Sequence, residues 1–87
     1  MNSFYNRDEY NYKFLNSKEK KSYNSHKRLD KKFTNIINNN RYSKRLEIKA
    51  IYHGSCCDEI LKKQRKLSKN EKIKLFNESK DFVNKMS

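Results

Sequence analysis

Apolar residues recur along most of this chain at helical spacing. Leu29, Phe33, Ile36 and Ile37 follow i, i+4, i+7, i+8, which is one face of a helix. Ser17 offers a cap for a helix near 17–38, with Tyr23 at the edge of the stripe, and Asn38 to Asn40 suit its end because asparagine tolerates the left-handed region. The next segment reads two ways. Leu46, Ile48, Ala50 and Tyr52 alternate as a strand would. Tyr42, Leu46, Lys49, Ala50 and His53 share a helical face, with Ser43 as its cap. A lone strand has nothing to pair with, so a helix near 43–53 is expected, and Gly54 is expected to stop it.

Ser55–Asp58 and Ser68–Glu71 each read as a capping box, a hydroxyl at the cap and an acid three residues on. Each such box is worth about 1 kcal/mol. They predict helices near 56–66 and 69–85. The first carries Cys57, Ile60, Leu61 and Gln64 on one side. The second carries Leu75, Phe76, Ser79, Phe82, Val83 and Met86. No proline and a single glycine leave little to interrupt helices. The expected fold is all-α, a small bundle of three to four short helices over a basic domain at 17–87. An aromatic, charge-neutral N-terminal segment at 1–16 (Phe4, Tyr5, Tyr10, Tyr12, Phe14) would pack on it or stay partly disordered.

Composition narrows the picture. Eighty-seven residues hold one small domain with a thin core. Apolar residues are 33% and charged residues 37%, which leans toward marginal folding. The aromatic rings work against that lean, because each buries a large area. No apolar run approaches the length of a membrane span. The first residues lack the apolar core of a secretory signal, and the early Asp8 and Glu9 do not suit a mitochondrial presequence. An intracellular protein is expected, in the nucleus, the cytoplasm or an organelle.

The net charge of +12 favours polyanions. The 17 Lys against 5 Arg, with 12 Asn, are also what an AT-rich coding sequence produces. The densest clusters are His26 to Lys32 and Lys62 to Lys66. On helices, Lys27 and Lys31, and Arg28 and Lys32, form i, i+4 rows opposite the apolar stripe, able to follow a phosphate backbone. Lys62, Lys63, Arg65 and Lys66 also fit a short nuclear-import pattern. Lysine dominance points to phosphate contact, since base readout more often uses bidentate Arg, Asn or Gln. Tyr5, Tyr10 and Tyr12 could stack on unpaired bases, but packing onto the helices as a lid is the favoured reading.

Other chemistries are poorly served. His53, Cys56, Cys57 and Asp58 are possible zinc ligands, with His26 as a fifth, but adjacent cysteines on a helix diverge by about 100° and no second pair exists. Cys57 is expected in the core as a small apolar residue and Cys56 at its edge. A cap position there would lower the Cys56 pKa, which alone makes no enzyme. One glycine cannot build a phosphate loop. No cofactor, metal or catalytic residue is assigned.

Leu67-Ser68-x-x-Glu71-Lys72, followed by Phe76, resembles the start of the last helix of an HMG box. That family's tryptophan would fall near Gln64, and this chain has none, so its wedge chemistry does not carry over. Lys44-Arg45-Leu46, Ala50, Gly54, Glu59 and Leu67-Ser68 are similar to the small helical factors that assist flavin attachment to succinate dehydrogenase. That family's arginine before the glycine is His53 here, and the spacing to Leu67 is shorter. The two likenesses draw on the same stretch, and the chain is assigned to neither family.

The leading expectation is a small, basic, non-catalytic nucleic-acid-associated protein. It would touch the phosphates of DNA or RNA without sequence specificity through Lys27, Arg28, Lys31, Lys32, Lys62, Lys63, Arg65 and Lys66. The alternative is an accessory or assembly subunit acting through protein–protein contacts at the N-terminal aromatics and the last helix.

Overall fold

The computed structural model describes residues 11–86, and within them every regular element is helical. Helix α1 spans Ser17–Asn38. Its cap lies one residue earlier than Ser17. The Asn16 side chain accepts from the Glu19 amide at 2.8 Å, and the Glu19 carboxylate accepts from the Asn16 amide at 2.7 Å. The asparagine run closes the helix as expected. Asn40 takes φ 66°, and the amides of Asn40 and Arg41 turn back to the carbonyls of Ile37 and Ile36, which is the Schellman pattern.

Helix α2 spans Lys44–Lys63, and here the structure corrects the sequence reading. Two helices at 43–53 and 56–66 are one helix, and Gly54 does not stop it. Ser43 caps it, accepting from the Leu46 amide at 3.1 Å. Ser55–Asp58 is no capping box but lies mid-helix. Ala50, Cys56, Cys57, Ile60 and Leu61 are its buried residues. They form one face that runs past the glycine, and a break would split it. Carrying a glycine through a helix costs only about 1 kcal/mol. Gly54 has a different use. A Cβ there would sit 3.3 Å from an Asp30 carboxylate oxygen, so the bare position leaves room for that flexible side chain. Helix α2 ends instead at Gln64, in the left-handed region at φ 56°. Its side-chain amide compensates by donating to the carbonyls of Leu61 at 2.7 Å and Asn11 at 3.0 Å.

Helix α3 spans Lys69–Met86. The capping box predicted at its start is present, with Ser68 Oγ accepting from the Glu71 amide at 3.2 Å and Glu71 accepting from the Ser68 amide at 2.8 Å.

Helix α2 is the middle layer. It packs on α1 and on α3, while α1 and α3 barely touch. The core gathers Leu15, Cys56, Ile60, Leu61 and Leu67, with Tyr12, Tyr23, Tyr52 and Leu75 against it. Cys56 is wholly buried and not at the edge, because the continuous helix turns it inward. Helix α1 has no fully buried residue; Leu29, Phe33, Ile36 and Ile37 face inward but stay half-covered. The stripe predicted on α3 splits for the same reason. With one neighbour, α3 buries only a narrow strip around Ser79 and Val83, leaving Phe82 and Met86 exposed. The Ser79 hydroxyl is satisfied by donating to the Leu75 carbonyl at 2.9 Å. At the N-terminal side, Leu15 belongs to the core, and Tyr12 packs on Tyr23 with ring centroids 5.1 Å apart, as a lid would. Phe4, Tyr5 and Tyr10 lie outside the described residues. No described helix is long and apolar enough to cross a membrane.

Candidate nucleic-acid interface

The eight basic residues singled out in the sequence fall into two groups with different surroundings. Lys27, Arg28, Lys31 and Lys32 are exposed on α1, and no ion pair among the described residues engages them. The acids of α1 point elsewhere. Glu19 closes the cap, and Asp30 lies against Gly54. The result is an outward face of α1 that carries cations and no carboxylate.

The second cluster is mostly occupied internally. Arg65 grips Glu71 with two parallel hydrogen bonds of 2.8 and 2.7 Å and also donates to the Lys66 carbonyl. Lys63 lies 3.5 Å from Glu59 and 3.9 Å from Glu71, and Lys62 lies 3.9 Å from Glu59. The Arg65 guanidinium, followed by the Ser68 amide, pulls the Glu71 carboxyl down to about 2. Arg65 thus clamps the turn between α2 and α3, an arrangement that geometry favours for a fork-shaped cation on a carboxylate. Of this cluster, Lys66 stays free of ion pairs among the described residues.

Lys66 reaches a place that the sequence did not reveal. It joins Lys18, Lys21 and Lys72 around an open groove of about 560 Å³ between α1 and the start of α3. Ser22 and Ser25 add hydroxyls, Leu29 supplies an apolar patch, and no carboxylate lines the groove. Lys18, Lys21 and Ser25 have helical spacing that could have been noticed. The approach of Lys72 depends on how α3 crosses α2, which no local pattern encodes.

His26 sits at the inner edge of this groove. Its Nδ1 lies 2.9 Å from Nδ1 of His53 on α2, so one ring donates and the other accepts. Burial first, then His53 and Lys72, push the His26 pKa down to about 4. Burial also lowers His53, against the opposing pull of Asp30. Both rings are therefore neutral near pH 7, and the positive charge of the groove comes from its lysines.

Helix α3 sorts its charges. At about 100° per residue, Lys69, Lys72, Ile73, Phe76 and Lys80 share one edge, and Glu71, Glu78 and Asp81 share the opposite one. On the basic edge, Tyr52, Lys69, Lys72, Ile73 and Phe76 form an apolar shelf. Ile73 is 49% exposed and Phe76 38%. The Phe76 ring is braced edge-on by Tyr52 at 5.5 Å. On the acidic edge, Phe82 and Met86 form a separate hollow with Glu78, Asp81 and Lys85.

The thiols take no part in this surface. Both are buried, and burial pushes Cys57 up to about 12 and Cys56 upward. The lowered Cys56 pKa that a helix start would have given is thus reversed, since that helix start does not exist. No group of three or more His, Cys, Asp or Glu among the described residues is placed to hold a metal ion. Comparison with family models, with curated proteins and with solved structures finds no match for this chain.

Proposed function

We propose that this chain is a non-catalytic protein that binds nucleic acid through its phosphates. The observation that carries the reading is the groove lined by Lys18, Lys21, Lys66 and Lys72 with no carboxylate; exposed Lys27, Arg28, Lys31 and Lys32 add cations elsewhere on α1, Lys27 and Lys31 on its far side. Cations held close together with no competing acid attract a polyanion and release its counterions on binding. Lys62, Lys63 and Arg65 contribute less to this reading than their sequence cluster suggested, because each already faces a carboxylate.

The test is a salt titration of binding to labelled oligonucleotides. Contact with about four phosphates gives a log–log slope near −3 to −4. The double variant Lys66→Glu, Lys72→Glu should weaken binding at least tenfold at low salt, whereas Lys62→Glu should change it little. Binding insensitive to salt, or none at low salt, removes the proposal.

A second reading has one specific support. Phe82 and Met86 are exposed at 46% and 70% beside Glu78 and Asp81, a setting that suits a protein neighbour better than a phosphate chain. An accessory subunit docking there would lose its partner on Phe82→Asp, with oligonucleotide binding intact.

A further inference from the structure

The basic groove and the apolar shelf are not separate features, because Lys72 lines both. We infer that this joined surface takes single-stranded nucleic acid, with phosphates along Lys18, Lys21, Lys66 and Lys72 and bases against Phe76, Ile73 and Tyr52. The inference rests on the proposed phosphate-binding function and narrows its ligand. Charge decides which of the two exposed apolar areas of α3 serves it. The shelf is flanked by Lys69 and Lys72 and has no acid in its lining, whereas the Phe82–Met86 hollow has Glu78 and Asp81. Sequence spacing repeats the point, since Lys69, Ile73, Phe76 and Lys80 interleave cations and apolar side chains along one helix edge. A duplex keeps its bases stacked inside and would lay only phosphate and sugar on this shelf. An unpaired strand brings apolar base faces to it, which is how aromatic platforms beside basic grooves hold single strands.

Fluorescence anisotropy of labelled oligothymidine and oligouridine, each roughly 12 nucleotides long, tests this against a duplex and against an abasic strand of equal length. The expected result is tighter binding of either unpaired strand than of the abasic one. Phe76→Ala should then weaken the unpaired strands by about 5- to 100-fold, with abasic and duplex binding unchanged and with Phe76→Tyr restoring affinity. Circular dichroism checks that the variants fold. Equal affinity for abasic and base-bearing strands, or indifference to Phe76→Ala, overturns the single-strand assignment while salt-dependent binding survives. Failure of every oligonucleotide to bind at low salt overturns it together with the function on which it rests. Preference for anionic lipid vesicles over the oligonucleotides overturns it as well.

Discussion

Acidification to about pH 5 is the most searching perturbation for this fold, because it tests the contact that joins α1 to α2. The two Nδ1 atoms of His26 and His53 share one hydrogen at 2.9 Å. Protonating both rings would set two N–H groups against each other, with Lys72 and Lys49 adding repulsion. The folded His26 holds a pKa of about 4 against an ordinary 6.5. Between those values the unfolded chain binds more protons, so stability is highest above pH 6.5 or so and falls as pH drops toward 4. At roughly pH 5 the linkage amounts to about 2 kcal/mol for His26 alone. The ring is partly open to water, which reduces this to about 1 kcal/mol. For a domain this size that is a fall of several degrees in Tm. Urea denaturation followed by circular dichroism at about pH 7.5 and 5 measures it, and His26→Gln should shrink the pH slope because the variant cannot titrate. Glu71 does not interfere, since its stabilising charge is lost only below the ordinary carboxylate range. A wild-type stability that is flat across this window, or a His26→Gln slope equal to that of wild type, refutes the reasoning.

Gly54→Ala should be neutral or raise stability by up to about 1 kcal/mol, read by urea midpoint, since Asp30 can swing away and alanine favours helix; a loss of that size would mean that α1 cannot yield there. Asn16→Ala removes the cap of α1 and should cost about 1 kcal/mol, again by urea midpoint, with α2 and α3 retaining their hydrogen-exchange protection. Native protein should resist thiol reagents at neutral pH and react fully in denaturant, because both cysteines are buried with raised pKa values; rapid labelling of the folded protein would contradict the packing. A further drop in stability below about pH 4 should accompany protonation of Glu71, and Glu71→Gln should reduce that acid limb of the denaturation curve.

The bundle was legible where local chemistry acts alone. Helix α1 was found to its last residue because a periodic stripe and an asparagine end agree, although its cap is Asn16 and not Ser17. Ser43 and the Ser68–Glu71 box were legible for the same reason. Gly54 misled because a glycine in sequence looks the same whether it ends a helix or is carried through one; the buried face from Ala50 to Leu61 carries α2 past it, and only the flexible Asp30 side chain lies close. Gln64 escaped notice because its left-handed turn is accompanied by a side-chain bond to the Asn11 carbonyl, fifty-three residues away, besides the local one to Leu61. The surroundings of the second basic cluster were likewise not legible. Density in sequence marked Lys62 to Lys66, but adjacency brings acids as readily as cations, and Glu59 and Glu71 neutralise most of that run. The groove lysines come from three separate stretches and converge only through helix crossing.

That contrast bears on whether the charge has a purpose. A coding bias toward lysine and asparagine would account for the number of cations, and it would scatter them without regard to neighbours. It does not explain where the carboxylates are. On α1 both acids are turned to the cap and to the α2 contact. On α3 all of them occupy the edge away from the basic shelf. Four lysines from α1, the turn and α3 then share an opening whose lining holds no acid. An opening lined by lysines without an acid is what the proposed phosphate contacts rest on, and the proposed unpaired strand would add flat base faces for the adjoining shelf.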